Sequence, residues 1–253
     1  MKTDITIHSV VKNEAFVYYS IKAVYNYCDA ILLYDTGSTD KHTLEDIDQL
    51  IKEDVDNKIT FRSVPLDFDE EKWSIHGLHE FIKEHQGKMS VGRCRQMQID
   101  ETKTKYSMLI DGDEVHYRNT MELITKDLIP NWPKRKVFIG FPLIWLWDLN
   151  HSFTTATFPI NGRLFINDKV YMNSESPNEQ HLIKGTTLPF TYEHPAYFIY
   201  NQATPYLHFE SVLRPWRRKS LVEKDNIKPF HGAYPEVCLE NPYYLERYKR
   251  ELI

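Results

Sequence analysis

The chain has 253 residues, of which 42% are hydrophobic, enough for one substantial core. Its formal net charge of −5 excludes a global attraction for nucleic acid or an acidic membrane, so any polyanion must meet a local basic cluster. No signal segment begins the chain and no apolar run approaches the roughly 20 residues of a membrane helix, which predicts a soluble protein.

The cysteines indicate a reducing compartment. Cys28, Cys94 and Cys238 are odd in number, far apart, and form no C-x-x-C pair or zinc-like array. This pattern is typical of reduced thiols. We therefore predict a cytoplasmic protein, and the sequence leaves open a peripheral place beside a membrane.

The first half of the chain predicts alternating strands and helices. Short apolar or β-branched runs predict the strands, and apolar residues at helical spacing follow the first two of them. The predicted strands are residues 5–11, 30–34 and 58–64, with a fourth that ends at Asp111 after a helix at 90–101. The order β-α-β-α-β predicts a parallel sheet with right-handed crossovers. For residues 67–87 we predict an irregular excursion.

The second half of the chain does not continue the regular alternation of strands and helices. A polar helix near residues 119–128 is followed by a long apolar run, 137–146, and by further strands, one of them at 163–166. No repeat or low-complexity linker separates the halves. We therefore predict a single α/β domain over residues 1–253, with a mixed, mostly parallel sheet flanked by helices.

Polar residues follow three predicted strands at the point where each strand ends. They are Lys12-Asn13-Glu14, the turn from Asp35 to Asp40, and Asp111-Gly112-Asp113-Glu114. Because ligands bind outside the carboxyl ends of strands in open parallel sheets, we expect all three to face one crevice. Acidic triplets are often solvated loops, but carboxylates crowded at the end of a buried strand repel one another. Bound Mg²⁺ or Mn²⁺ removes that repulsion.

These motifs, in this order and with Arg95 ahead of the fourth strand, resemble the family 2 glycosyltransferases, which have a GT-A, Rossmann-like fold. The match covers roughly the first half of the chain. The resemblance implies a hexosyltransferase that uses a nucleotide-sugar, most often a UDP-sugar, and inverts the anomeric carbon. It also implies a Mn²⁺ or Mg²⁺ ion at the DXD motif. Residues 1–114 would form the nucleotide-binding half and 115–253 the acceptor-binding half.

The same resemblance implies roles for individual residues. Asp113 would bind the metal directly, Asp111 would be shared between ribose and metal, and His208 would complete the metal site. The basic stretch at residues 214–219 would cover the donor's diphosphate. The predicted contacts of the nucleotide-sugar are Val11, Asn13, Glu14, Asp35, Thr36, Arg95, Asp111, Gly112, Arg214 and Lys219.

The catalytic base is predicted from a weaker similarity. Arg163-Leu164-Phe165 is similar to a strand that in many relatives precedes a His-Glu pair, whose glutamate lies near the acceptor hydroxyl. In this chain the pair falls at Asn178-Glu179, so the histidine is missing. We predict Glu179 as the base, with Glu175, Asp148 and His181 as alternatives.

Two other functions remain open at this point. A sugar nucleotidyltransferase also uses acidic groups, a metal and a nucleotide, but its Gly-rich phosphate loop has no counterpart in Ser9–Glu14. A non-catalytic nucleotide- or carbohydrate-binding module would fit the missing histidine before Glu179, while the pair Asp111 and Asp113 argues against it. The expected partners are a nucleotide-sugar and a glycan or other hydroxyl acceptor, and no nucleic acid.

Overall fold

A computed structural model of the chain describes residues 2–67, 88–153, 160–172, 181–184, 195–200, 204–209, 227–243 and 246. Within these residues the helices are α1 (Val17–Tyr25), α2 (Lys41–Lys52), α3 (Val91–Glu101), α4 (Arg118–Leu123) and α5 (Glu236–Glu240). A π-helical segment, Ile124–Leu128, continues α4, and Asn167–Lys169 form a short 3₁₀ helix.

The strands follow the predicted order closely. They are β1 (Ile5–Val11), β2 (Ala30–Asp35), β3 (Ile59–Ser63), β4 (Tyr106–Leu109), β5 (Glu114–Val115), β6 (Phe138–Leu146), β7 (His151–Phe153), β8 (Ile160–Ile166), β9 (Val170–Met172), β10 (His181–Ile183), β11 (Tyr197–Ile199), β12 (Tyr206–His208) and β13 (Ile227–Pro229). The predicted excursion over residues 67–87 lies almost entirely outside the described residues.

The first half forms the parallel part of the sheet. β1 lies between β2 and β4, β3 pairs with β2, and all three ladders are parallel. Two of the crossover helices, α2 and α3, begin at side chains that cap them. Asp40 accepts a hydrogen bond from the backbone N–H of Thr43 at the start of α2, and Ser90 accepts one from Arg93 at the start of α3.

The second half extends the same sheet. β8 pairs antiparallel with β4, and β6 pairs antiparallel with β8, so β6 runs in the same direction as β4. β11 and β12 each pair in parallel with β6, and β12 also pairs antiparallel with the short β5. The order of the main path is β13-β7-β6-β8-β4-β1-β2-β3, while β9 and β10 form a separate two-stranded antiparallel sheet. The predicted α/β class with a mixed sheet is confirmed.

One hydrophobic cluster joins the two halves. It includes Ile7 and Tyr106 from the first half and Leu207 and Cys238 from the second, all buried. The described parts of the two halves therefore share one hydrophobic core. The three cysteines are buried and unbridged. Across the described ranges, no helix combines the length and the apolar character that crossing a membrane requires.

The start of β3 is fixed by Asp54. Its carboxylate accepts hydrogen bonds from the backbone N–H groups of Lys58 and Ile59, at 2.9 and 2.8 Å, and from the Tyr25 hydroxyl at 2.7 Å. Burial acts to raise the pKa of the Asp54 carboxyl, but these hydrogen bonds outweigh it and the pKa is lowered from its ordinary value.

We expect Asp54→Ala to lower the free energy of unfolding by about 1–3 kcal/mol at pH 7, because three partly buried donors lose their acceptor. A carboxyl whose pKa is lower in the folded state stabilises the protein above its unfolded pKa and loses that contribution as the pH falls through the folded pKa. The difference between wild type and variant should therefore shrink below about pH 4. Urea unfolding at pH 7 and pH 3 measures it. Asp56→Ala, at an exposed neighbour, is the control, and an equal loss there would contradict the prediction.

Candidate functional site

The ends of β1, β2 and β4 meet at one edge of the sheet, as their parallel ladders require. The Thr36 backbone N–H and hydroxyl both donate to the Val11 carbonyl, at 2.9 and 3.0 Å. On the other side of β1, the Ile110 N–H donates to the His8 carbonyl at 3.0 Å. Val11 and Thr36, both predicted to contact the nucleotide, are buried at this junction.

Asn13 joins the loop after β1 to the loop after β2 by hydrogen bonds. Its backbone has a φ of 54°, a left-handed conformation that asparagine tolerates better than most residues. This conformation aims its side-chain oxygen at the backbone N–H groups of Thr39 and Asp40, at 2.8 and 2.9 Å. The Asp35 carboxylate accepts from the Ser38 N–H at 3.0 Å in the same turn. The two loops are therefore held together before any ligand binds.

Gly112 is packed against the end of β1. A Cβ added to it would lie 2.7 Å from Cβ and Cγ of Glu14 and 3.0 Å from Cγ1 of Val11. The Ser20 hydroxyl donates to the Gly112 carbonyl at 2.9 Å. The contact of Gly112 with Glu14 and Val11 thus already requires a glycine at this position. The close approach of Gly112 to a ligand stays a prediction.

Asp111 is held by two arginines from different parts of the chain. Its Oδ1 accepts from Arg95 Nη2 at 2.6 Å, and its Oδ2 accepts from Arg163 Nη2 at 2.8 Å. Desolvation acts to raise the pKa of this carboxyl, but Arg163 and Arg95 together lower it to about 2. The side chain is still 30% exposed, so an ionised and fixed carboxylate is accessible at this edge of the sheet.

Arg95 lies behind this carboxylate. Its side chain is 1% exposed, and its Nη1 donates to the His8 carbonyl at 2.8 Å, so it ties the acidic loop to β1. The sequence predicted a contact of Arg95 with the nucleotide and phosphates. In the structure this arginine supports Asp111, and its contact with a ligand stays a prediction.

Arg163 is the site residue whose role sequence reasoning missed. From β8 it donates to Asp111 and also to Glu114, which is 0% exposed and accepts from the Tyr206 hydroxyl at 3.2 Å as well. Burial raises the pKa of Glu114 to about 8, and the Arg163 guanidinium offsets only part of that effect. A buried arginine in a strand rich in apolar residues needs a partner, and this is the signal that marks it.

Asp113 and His208 lie face to face beside this network. Strands β5 and β12 set His208 opposite Glu114, and the distance from His208 Nε2 to Asp113 Oδ1 is 3.5 Å. Both side chains are buried. Two ligands at right angles on one divalent ion lie about 3 Å apart, so this pair has the spacing and the donor types of a metal site. Within the described ranges, no group of three or more His, Cys, Asp or Glu side chains is arranged to hold a metal.

Several predicted site residues lie outside the described residues. They are Glu179, Arg214 and Lys219, together with the alternative base Glu175. Another alternative, Asp148, is described and pairs with His151 in the turn after β6. The structure thus brings together the predicted residues from the first half and His208, and leaves the predicted base and basic stretch as predictions.

No protein family and no curated protein matches the chain. Among solved structures it is similar to S. aureus TarS 1-349, with a TM-score of 0.45 and 10% identity over 82% of this chain and 60% of that one. It is also similar to GalNAc-T7 with UDP, GalNAc and Mn²⁺, with a TM-score of 0.36 and 15% identity over 62% of this chain and 25% of that one.

A third similar structure is glucosyl-3-phosphoglycerate synthase from Mycobacterium tuberculosis in complex with phosphoglyceric acid, with a TM-score of 0.35 and 14% identity over 54% of this chain and 42% of that one. This chain therefore spans 60% or less of the length of these proteins. All three TM-scores are below 0.5, so the function is proposed from the residues of this chain alone.

We expect Arg163→Met to lower the free energy of unfolding by about 3–5 kcal/mol, because it takes a cation from the ionised Asp111 and a hydrogen-bond donor from the buried Glu114. Chemical unfolding followed by tryptophan fluorescence measures the loss. Arg62→Met is the matched control, since Arg62 pairs with Glu101 on the surface, and we expect a much smaller loss there. Equal losses in the two variants would show that the buried network does not stabilise the fold.

Asn13 offers a second test of the loops. We expect Asn13→Ala to be less stable than Asn13→Gly by about 1 kcal/mol, because both lose the hydrogen bonds but only glycine adopts a positive φ without strain. Thermal unfolding of the two variants measures the difference. A more stable alanine variant would mean that the left-handed conformation is absent in solution.

Proposed function

We propose that the protein is a metal-dependent glycosyltransferase that moves a sugar from a nucleotide-sugar, a UDP-sugar, to an acceptor hydroxyl with inversion at the anomeric carbon. One observation carries this proposal. Asp113 and His208 face each other at 3.5 Å beside a fixed, ionised Asp111, at the edge of the sheet where β1 and β2 also end. That edge is where open parallel sheets bind nucleotides.

The donor's nucleoside would lie between the ends of β1 and β2. Val11 and Thr36 would form the floor of its site, with Asn13, Glu14 and Asp35 beside it. The hydrogen bonds that join these loops favour binding, because a site that is already ordered loses less conformational entropy when the ligand arrives. Asp111, with a partly exposed carboxylate, would accept from a ribose hydroxyl or a metal-bound water.

The three clustered carboxylates have different electrostatic partners. Arg95 and Arg163 lie against Asp111, and Arg163 also lies against Glu114. Asp113 faces the His208 imidazole at 3.5 Å and lies against no arginine among the described residues, while Glu114 is 3.8 Å from the same imidazole nitrogen. This distribution supports Asp113 as the carboxylate that binds a cation.

Asp113 and His208 would therefore be the protein ligands of a Mn²⁺ or Mg²⁺ ion, and the donor's diphosphate and water would supply the remaining ligands. When bound, such an ion stabilises the negative charge that develops on the departing diphosphate. Gly112, Arg214 and Lys219 remain proposed contacts of the nucleotide-sugar, the last two as a basic cover over the diphosphate.

The proposal predicts metal-dependent cleavage of a donor. Purified protein should release free nucleoside diphosphate from at least one nucleotide-sugar of a panel when Mn²⁺ is present, and chelation should stop the release. Asp113→Asn should lower the rate by about 100-fold or more, because the metal would lose the carboxylate proposed to bind it directly. Asp168→Asn, at an exposed carboxylate in the 3₁₀ helix after β8, is the control and should keep the wild-type rate.

Other outcomes identify the rival functions. Binding of a nucleotide-sugar without release would favour a non-catalytic module on the same fold. Pyrophosphate released from a nucleoside triphosphate and a sugar phosphate would favour a sugar nucleotidyltransferase. Either result would contradict the glycosyltransferase proposal.

A further inference from the structure

The turn between β6 and β7 pairs an aspartate with a histidine. Asp148 Oδ1 and Oδ2 lie 2.9 and 3.0 Å from His151 Nδ1. With the proton on Nδ1 and donated to the carboxylate, Nε2 is left as a hydrogen-bond acceptor. Among the described residues, Nε2 makes no hydrogen bond. An oriented imidazole of this kind can remove a proton from a substrate.

The turn that carries the pair is held in place from several directions. The Trp147 N–H donates to the His151 carbonyl at 2.8 Å, and the Asn150 N–H donates to Asp148 Oδ1 at 2.7 Å. From the segment after β13, the Phe230 N–H donates to the Asn150 carbonyl at 2.7 Å, and the Tyr234 hydroxyl donates to the Leu149 carbonyl. A histidine on a braced turn keeps its orientation, which a general base requires.

The pair lies at the same edge of the sheet as Asp113 and His208. β6 and β12 run in parallel with Trp145 beside His208, and the rings of these two residues meet edge to face with centroids 4.2 Å apart. Asp148 is three residues beyond Trp145, so its Cα is at most about 11 Å from that of Trp145.

The Cα of His151 lies roughly 12 Å from that of His208, because His151 is opposite Trp147 while His208 pairs with Trp145 on the other side of β6. The base must stand roughly 10 Å from the metal, because a phosphate, the anomeric carbon and the attacking oxygen lie between them. The side chains of Asp148 and His151 are 34% and 44% exposed. An acceptor arriving from solvent can therefore reach the imidazole.

We propose that His151 is the general base of the transfer and that Asp148 is the residue that positions it. This rests on the proposed glycosyl transfer. His151 Nε2 takes the proton of the acceptor hydroxyl, and an electron pair of its oxygen forms the new bond to the anomeric carbon. The bond from that carbon to the diphosphate breaks, and its electron pair leaves with the diphosphate. The imidazolium that forms is stabilised by the Asp148 carboxylate, and the reaction needs no further reactant.

The test uses water as the acceptor, since hydrolysis of the donor needs the same proton removal. The rate of nucleoside diphosphate release is measured with Mn²⁺ and the nucleotide-sugar that the wild-type protein cleaves fastest. His151→Ala should lower this rate by about 100-fold or more, and added imidazole should restore part of it. Binding of the free nucleoside diphosphate, measured by calorimetry, should stay as in the wild type.

Two further variants and a control complete the experiment. Asp148→Asn should lower kcat and leave KM for the donor unchanged, as expected when only the orientation of the base is lost. Glu179→Gln tests the base predicted from the sequence and should keep most of the rate. His231→Ala removes an exposed histidine from the segment that braces the turn, and it should behave like the wild type.

Three results would overturn the proposal. A His151→Ala rate like that of the wild type, with Glu179→Gln inactive, would make Glu179 the base. A lost rate that imidazole does not restore, together with weaker binding of the nucleoside diphosphate, would mean that His151 only supports the fold. Failure of the wild-type protein to cleave any nucleotide-sugar would overturn the proposed function first and this proposal with it.

Discussion

Two buried guanidinium groups, one from each half of the chain, donate hydrogen bonds to Asp111. The arrangement of the rest of the site depends on these two contacts. Arg95 comes from α3 and Arg163 from β8, and each donates to a different carboxylate oxygen. Carboxylates this close together repel one another, and burial makes each charge costly. The two cations make the loop after β4 possible in a buried position, because they offset those charges at hydrogen-bonding distance.

The three carboxylates of the loop after β4 have different partners. Asp111 and Glu114 accept hydrogen bonds from arginine, and Glu114 also accepts one from the Tyr206 hydroxyl. The ring of Tyr206 stacks on the ring of His116. Asp113 faces His208, at 3.5 Å from its Nε2. One short loop thus holds a fixed, ionised Asp111 and, separately, Asp113 opposite His208, which is the carboxylate that the proposed function assigns to a cation.

The two halves of the chain contribute different parts of the proposed reaction. The first half supplies the loops after β1 and β2, already joined through Asn13, as a wall for the donor. The second half supplies Arg163, His208 and the turn that carries Asp148 and His151. Because β8 and β6 continue the sheet directly from β4, these groups reach the same edge as the donor loops. The shared hydrophobic core fixes their relative position.

The sequence by itself determined the order of strands and helices in the first half and the three polar strand ends, because hydrophobic periodicity and turn residues are local signals. It also singled out Asp111, Asp113 and His208 as candidates. Only the tertiary structure decided that Arg163 binds Asp111 across 52 residues and that His208 meets Asp113. Those contacts depend on how β8 and β12 insert into the sheet, and strand pairing over such distances leaves no periodic trace in the chain. The pairing of Asp148 with His151 is local in sequence, yet its place beside the site was visible only once β6 lay next to β12.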